Sequence, residues 1–367
     1  MVLGWNQQRN NDLLSGRAPN SRKKRAKLFT LHLAFLRFNV QHSTYLSSTN
    51  TLKLASTPAS LDGALRTMSA GYAARLSVYP NKGVVGLPEN VDSERQLKLK
   101  FAKLAEWVRD SQHFVILTGA GISTSAGIPD FRGPKGIWTL EKQQKQMQKR
   151  KRKRPGEAES SESTKEPNSV PLMDFGNAKP TLTHRAITKL AQVGKLKYCI
   201  TQNVDGLHRR AGLSRDHHSS LHGCAFTEKC HSCFTEYFRD QDVEGMSFQP
   251  TGNQCNLCDG KLHDTLLDWE DALPEADLQR AERECDRADL VLCLGTSLRI
   301  EPAGSLPLRA KRFVIVNLQV TAKDDEAAMI IRVGVDQLMD MLMQTLGYSY
   351  WKDEPPAPIE RRWTPSA

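Results

Sequence analysis

Short apolar runs alternate with segments of helical periodicity through the middle of the chain. The runs cover residues 113–117, 197–201, 290–294 and 313–317, which is the length of buried strands. Apolar side chains recur at helical spacing in two places, at Leu97, Phe101, Leu104 and Val108, and at Leu338, Leu342 and Leu346. Buried strands that alternate with helices are typical of a parallel sheet covered on both faces. The pattern predicts an α/β fold with a Rossmann-like, doubly wound parallel sheet.

A glycine-rich polar segment follows the first apolar run. It reads TGAGISTSAGIPDFRGPKG over residues 118–136. Gly119 and Gly121 can adopt backbone conformations that are closed to other residues, so amides here can turn towards a pyrophosphate, and Ser123 and Thr124 add hydroxyl donors. The segment lacks the G-x-G-x-x-G fingerprint. Taken alone, it is equally well a tight strand-to-helix turn that binds no ligand.

Polar segments follow the other three runs as well. They read QNVDGLH at 202–208, GTS at 295–297 and NLQ at 317–319. Ligands of open α/β sheets bind at the carboxyl ends of the strands, so these four segments should converge on one crevice. The sequence therefore predicts a single ligand-binding site at that edge of the sheet.

Two Cys-x-x-Cys pairs indicate a metal site. Cys230 and Cys233 are separated by 21 residues from Cys255 and Cys258, a spacing at which two knuckles bind one tetrahedral Zn²⁺. Four thiolates leave no position for water, so the predicted zinc is structural. A redox pair would not explain the second motif, and little basic charge between the pairs argues against a DNA-reading finger. The other four cysteines have no paired spacing, so no disulfide framework is predicted.

The net charge of +10 is concentrated in two segments. Residues 1–67 carry ten Lys and Arg against two acids, and residues 141–170 carry nine against five, which leaves −2 for the rest. Contact with nucleic acid or chromatin would therefore come through these segments. Residues 141–170 have the composition of a disordered insertion, in which the tract 149–154 is either a solvated charge run or, the interpretation we favour, a nuclear-import or nucleic-acid tract. No membrane contact is predicted, because the apolar stretch 28–38 is too short to cross a bilayer.

The motifs together resemble the sirtuins, which are NAD-consuming protein deacylases, from about Met68 to Tyr350. The resemblance rests on GAGIST at 119–124, IPDFR at 128–132, QNVD at 202–205, LHG at 221–223, GTS at 295–297 and VNLQ at 316–319. The segments MSAGYA from Met68, GPKGIWT at 133–139 and DWED at 268–271 look like the nuclear, chromatin-associated class IV branch, closest to sirtuin six. The resemblance implies a catalytic domain over 68–350 with a zinc module inserted at about 223–265.

The ends of the chain carry separate expectations. Residues 1–67 have the composition of a transit peptide for a mitochondrion or plastid, but the family-like start at Met68 makes an upstream extension an equal alternative. The tract 149–154 favours the nucleus over either organelle. The tail, residues 351–367, is Pro-rich, and from Pro355 onwards it has little to bury.

The resemblance assigns catalytic roles to His222, Asn203 and Asp205. His222 would be the general base that takes a proton from a ribose hydroxyl, a task suited to a pKa near neutrality. Asn203 and Asp205 would lie beside the nicotinamide ribose. A structural histidine and an Asx turn before Gly206 are the alternatives. The resemblance places these residues around the cofactor: Gly119, Ala120, Gly121, Thr124, Asp130, Phe131, Arg132, Trp138, Gln202, Gly295, Thr296, Ser297, Asn317, Gln319 and Val335. Trp138 is alternatively a core residue.

The implied activity is NAD-dependent deacylation of lysine side chains in proteins, and the implied substrates are histones or other nuclear proteins. The acyl group passes to ADP-ribose, nicotinamide is released, and NAD is consumed. Residues 268–270 would pair with an extended substrate peptide, although a loop before a helix near Pro274 is an alternative. Mono-ADP-ribosyltransfer at the same site and a chromatin-binding scaffold without turnover remain open. An NAD oxidoreductase is disfavoured because the dinucleotide fingerprint is missing.

Overall fold

The computed structural model describes residues 72, 75–77, 79, 82–152, 175–348 and 350–365, with the side chains of 150–152 excepted. The leader 1–67 and most of the predicted insertion, residues 153–170, lie outside the described residues.

Helices and strands alternate along the described chain. The helices are α1 (Glu94–Asp110), α2 (Ile137–Arg152), α3 (Leu182–Gln192), α4 (Leu207–Arg210), α5 (Glu275–Arg287) and α6 (Val335–Thr345). The strands are β1 (Phe114–Thr118), β2 (Leu196–Thr201), β3 (His218–Ser220), β4 (Thr227–Cys230), β5 (Glu236–Phe238), β6 (Pro250–Gln254), β7 (Lys261–Asp264), β8 (Leu290–Leu294), β9 (Phe313–Val316), β10 (Met329–Ile331) and β11 (Arg362–Trp363).

A six-stranded parallel sheet confirms the predicted fold class. Its order is β10-β9-β8-β1-β2-β3. The four apolar runs form β1, β2, β8 and β9, so the expected core strands are present. The pattern missed β3 and β10, because each is only three residues long and hydrophobic periodicity needs longer windows.

Helices cover both faces of this sheet. Phe114 and Ile116 of β1 pack in one cluster with α1, α3 and α6, whereas Val115 and Leu117 pack on the other face with α5. Helix α1 begins with a capping box between Ser93 and the third helical residue. The closing helix α6 buries Leu338 and Leu342 completely, as predicted.

A second, antiparallel sheet forms the smaller module. Its order is β11-β5-β4-β7-β6. Strands β4 to β7 fall within the predicted limits 223–265, and their small core contains Cys230, Tyr237, Cys255 and Leu262. The module lies in the chain between β3 and α5 of the parallel-sheet layer.

The expectation that the insertion 141–170 is disordered was wrong for its first twelve residues. Residues 141–152 continue α2 and are not irregular, because Leu, Glu, Gln, Lys and Met are strong helix formers whatever their charge. The tail is also ordered onto the fold: Trp351 is only 4% exposed, and β11 pairs antiparallel with β5. Strand pairing uses backbone groups, which hydropathy does not report. No helix among the described residues is long and apolar enough to cross a membrane.

Candidate functional site

The predicted site residues converge at the carboxyl edge of the parallel sheet. Segments that follow β1, β2, β8 and β9 line two adjoining cavities there, which share Gly121, Asp130 and Gly295. The first cavity contains Gly119, Ala120, Gly121, Asp130, Phe131, Arg132, Trp138, Gln202, Asn203, Asp205, His222, Gly295, Thr296, Ser297, Asn317 and Gln319. The second, of about 850 Å³, adds Thr124 and Val335. The tertiary structure thus brings together all the residues proposed for catalysis and cofactor binding.

Three glycines allow two loops to touch backbone to backbone. A Cβ added to Gly121 would lie 2.8 Å from Cα of Gly295, and one added to Gly119 would lie 2.7 Å from Cβ of Thr296. The amides of Gly119 and Gly121 donate to the carbonyl oxygens of Leu294 and Gly295, at 3.1 and 2.8 Å. The loops after β1 and β8 are therefore fixed to each other, and side chains in their place would fill the floor of the cavity.

The glycine segment does not lead directly into an α-helix. It continues as two single 3₁₀ turns, Ala120–Ile122 and Thr124–Ala126. The amides of Gly119 and Gly121 already donate to the loop after β8. These two glycines therefore allow the two loops to pack closely, but their N–H groups are not available to a ligand. A helix-dipole argument does not apply to turns of this length.

His222 presents one free nitrogen to the first cavity. Its Nδ1 lies 3.1 Å from the carbonyl oxygen of Gln202. A carbonyl oxygen only accepts, so in the neutral ring Nδ1 carries the hydrogen and Nε2 keeps its lone pair. The adjacent backbone is held by a bond from Leu221 N–H to Thr201 O, at 3.0 Å. The ring is thus oriented with a basic nitrogen available for proton transfer.

Burial lowers the pKa of His222 to about 4, although the Gln202 carbonyl acts in the opposite direction. The expectation of a pKa near neutrality is therefore wrong. Desolvation disfavours imidazolium, and among the described residues the cavity wall places no carboxylate in hydrogen-bond contact with this ring. The ring is unprotonated throughout the physiological pH range, so it can accept a proton without first losing one.

Asn203 and Asp205 line the same cavity as His222, and both side chains form hydrogen bonds within the fold. The side-chain amide of Asn203 donates to Gly119 O and Ser123 Oγ, at 3.1 and 3.3 Å, so its carbonyl oxygen is the group that can still accept. Asp205 accepts from Ser123 Oγ at 2.6 Å and from Leu207 N–H at 2.9 Å. The latter bond is the Asx turn considered above, and it makes Asp205 a residue that positions the loop.

An aromatic cluster with one arginine forms the opposite wall. The ring of Trp138 lies 5.0 Å from Phe131 and 5.5 Å from Trp269. The guanidinium of Arg132 lies over Trp138 at 4.5 Å and donates to Ser297 Oγ at 3.4 Å. Burial lowers the pKa of Arg132 to about 10, so it stays charged at neutral pH. The wall can shield a reacting centre from water and offers one cation to an anionic ligand.

Sequence reasoning missed several residues of this wall. Tyr72 and Phe175 line the first cavity, and Tyr79 stacks on Trp269 with ring centres 4.5 Å apart. Trp269 was assigned to a peptide-pairing strand, but residues 268–270 form no strand, and Asp268 accepts from Ser77 N–H at 3.0 Å. The signal available was the aromatic composition of these segments, which does not distinguish a cavity wall from core.

The second cavity is bordered by the ends of β9 and the start of α6. Asn317 Nδ2 donates to Gln319 O at 2.8 Å, and Arg332 donates to Asn317 O at 2.9 Å. Val335 opens α6, where Asp336 accepts from Ser125 Oγ at 2.6 Å. These contacts join the far end of the cavity to the glycine segment.

The four knuckle cysteines form one cluster. Their Sγ atoms all lie within 4.8 Å of one another, and Cys230–Cys258 and Cys233–Cys255 are each 3.5 Å apart. Sulfurs on a tetrahedral Zn²⁺ with Zn–S bonds of about 2.3 Å are about 3.8 Å apart. Amide N–H groups of Ser232 and Leu257 point at two of the sulfurs, at 3.4 Å, as suits thiolates. The set fits one structural Zn²⁺ with no open position.

The other four cysteines are buried and free. They are Cys199, Cys224, Cys285 and Cys293.

Several NAD-dependent protein deacetylases are similar to this chain in sequence. The Sir2 family profile matches residues 119–302. NAD-dependent protein deacetylase SRT1 of Arabidopsis thaliana is 46% identical over 285 residues, which cover 76% of this chain and 56% of that protein. NAD-dependent protein deacetylase Sirt6 of Drosophila melanogaster is 40% identical over 295 residues, covering 76% and 86%. Human NAD-dependent protein deacetylase sirtuin-7 is 36% identical over 294 residues, covering 72% and 66%.

The matched region is thus a little over half the length of the Arabidopsis relative. The family profile includes Gly119 and Gly121, His222 and the four knuckle cysteines. The chain belongs to the Sir2 family.

Proposed function

We propose that this protein is an NAD-dependent protein-lysine deacylase. The observation that carries the proposal is His222, whose Nδ1 is tied to Gln202 O and whose ring faces the crevice in which segments from four strands meet. Membership of the Sir2 family and relatives named as deacetylases support the same activity.

The crevice suits NAD as a consumed co-substrate. Gly119, Gly121 and Gly295 keep its floor free of side chains, and the second cavity is within the size range of small-ligand sites. NAD supplies the bond to nicotinamide whose cleavage exposes the ribosyl carbon to the acyl oxygen. In this proposal the nicotinamide ribose lies by His222, and the adenosine lies by Asn317, Gln319 and Val335.

The side chains divide the chemical work. His222 Nε2 takes a proton from a ribose hydroxyl, because its partner Nδ1 is held as the N–H tautomer. Asn203 uses its free carbonyl oxygen to orient a hydroxyl or water, and Asp205 fixes the loop that carries Asn203. Phe131 and Trp138 exclude water from the reacting centre.

The substrate class follows from the same site. Acyl-lysine side chains of proteins would enter past Trp269, and histones are the proposed targets, with chromatin contact through the basic segments. We also propose a nuclear location, for which the tract 149–154 is the support. Its last two residues lie outside the described chain.

The test is product analysis by mass spectrometry. Purified protein is incubated with NAD and acetyl-lysine or long-chain acyl-lysine histone peptides, beside the variant His222→Tyr. The proposal expects free lysine, nicotinamide and acyl-ADP-ribose, with a loss of about a hundredfold or more in the variant. ADP-ribose attached to protein would establish the transferase instead, and absence of nicotinamide would favour the scaffold without turnover.

A further inference from the structure

Four parts of the fold meet at one buried arginine. Arg215 is 5% exposed and donates to Glu236 of β5 at 2.8 and 3.1 Å. It also donates to both carboxylate oxygens of Asp277 in α5, at 2.8 and 2.7 Å. Its third nitrogen, Nη1, donates to the carbonyl oxygen of His218 at 2.5 Å. Arg215 therefore joins the zinc module, α5 and the first residue of β3.

The C-terminal tail closes this cluster from outside. The ring of Trp363 lies 4.9 Å from the guanidinium of Arg215, and its Nε1 donates to Asp216 at 2.8 Å. The backbone of Trp363 pairs with Glu236. Glu360 accepts from the backbone N–H of Arg215 at 2.8 Å. The tail thus contacts the side chain, the backbone and a carboxylate partner of the same arginine.

A short path leads from Arg215 to His222. Arg215 holds the carbonyl of His218, the first residue of β3. Strand β3 is an edge strand with only three pairs to β2. The last rung is the bond from Leu221 N–H to Thr201 O, and His222 follows at once. An edge strand this short gains little from its own ladder, so its position depends on side-chain contacts. These are the bond from Arg215 to His218 O and the bonds of Ser219 Oγ to Tyr198 and to the backbone of Asp277, a residue that Arg215 also holds.

We propose that Arg215 and two tail residues, Glu360 and Trp363, form a clamp that positions His222 for proton transfer. Arg215, Glu360 and Trp363 are positioning residues and touch no reacting atom. The catalytic part of this inference rests on the proposed deacylase activity. Stacking by Trp363 and the bond to Glu360 fix Arg215, Arg215 fixes β3, and β3 fixes the distance between His222 and the crevice.

The variants are chosen so that the protein folds. Replacement of Arg215 would leave two buried carboxylates without a partner and is avoided. Trp363→Ala removes the stacked ring from a half-buried site, and Trp363→Phe retains an aromatic face. Arg361→Gln is the matched control, because Arg361 lies in the same tail and its side chain, among the described residues, pairs with the exposed Asp240 at 2.7 Å.

Kinetics and hydrogen exchange are measured on the full chain. We expect Trp363→Ala to lower kcat about tenfold per folded molecule, about 1.4 kcal/mol in the barrier, with KM for NAD within about twofold. The amide of Leu221 should exchange about tenfold faster, while amides of β8 keep their rate. Trp363→Phe should regain most of both, and Arg361→Gln should match the wild type.

A purely stabilising tail gives a different result. Trp363→Ala would then lower the melting temperature but leave kcat per folded molecule and the exchange of Leu221 unchanged, which would overturn the clamp. Failure of the wild type to deacylate would remove the proposed function. In that case the Leu221 exchange rate alone decides the clamp, since it requires no activity.

Discussion

Acidification should destabilise this protein through a row of buried histidines beneath the crevice. His184, His208 and His218 are 0%, 3% and 1% exposed. The rings of His184 and His208 lie 4.8 Å apart, and His208 Nε2 is 2.9 Å from Thr118 Oγ1. Within the described chain, Nε2 of His184 and Nδ1 of His208 have no hydrogen-bond partner. Asp336 and Asp205 would partly compensate a positive charge on these two rings, but burial is the larger effect on each pKa.

The sign follows from the direction of the pKa shifts. Burial lowers the pKa of His184 and of His208 to about 3, and burial lowers that of His218 well below its usual value. The unfolded chain takes up protons near pH 6.5, whereas the native state does not, so stability falls as pH drops below that value. Between pH 7.5 and 5.5 each ring costs about 1.4 kcal/mol, and the three together about 4 kcal/mol.

The assay is urea unfolding at the two pH values with zinc present. His184→Gln is the informative variant, because His184 completes a capping box with Thr181 and glutamine is a standard residue at that position. Its loss of stability on acidification should be about 1.4 kcal/mol smaller than that of the wild type. The control is His217→Gln, at an exposed site next to His218, which should show the pH dependence of the wild type.

Equal pH dependence in His184→Gln and wild type, within about 0.4 kcal/mol, would refute the reasoning, because a buried neutral histidine must contribute this slope. Carboxylates that lose their partners on acidification affect both proteins equally and cancel in the comparison.

Three further predictions concern the site itself. Gly121→Ala would place a Cβ 2.8 Å from backbone atoms of Gly295. We expect this variant to bind NAD at least tenfold more weakly, measured by calorimetry, and to lose about 1–3 kcal/mol of stability. In Gly334→Ala the added Cβ meets nothing within 4 Å, so this control should fold as the wild type. Cys258→Ser should reduce bound zinc, measured by mass spectrometry of the metal, and lower the melting temperature. Since burial lowers the pKa of His222 to about 4, the acid limb of kcat/KM should lie below pH 5. A limb near pH 6.5 would show that the His222 ring is not desolvated in the working enzyme.

The parallel sheet and the metal cluster could be predicted from local pattern. Runs such as 290–294 are apolar at every position, which is typical of a strand buried on both faces, and β8 was found there. The cysteine pairs needed only their spacing. Short strands such as β3 could not be predicted, since His218, Ser219 and Ser220 have no apolar signal and are held by neighbours.

Protonation and shielding depended on distant residues. The pKa of His222 is set by burial in a crevice built from separate segments, so the ordinary imidazole pKa did not apply. Trp269 and Tyr79 are 190 positions apart, yet they stack at 4.5 Å. Composition identifies an aromatic residue, but only chain packing decides whether its ring borders a cavity.

Local sequence pattern was enough to predict the α/β class, the polar segments at the strand ends and the cysteine ligands, because each of these is recognised from contacts or spacings between nearby residues. The tertiary structure alone decided that α2 extends to residue 152, that the tail adds β11 to the zinc module, and that Arg215 joins four elements near His222. These features use backbone pairing and buried charges between remote positions, and their free energy exists only after the sheet has brought those positions together.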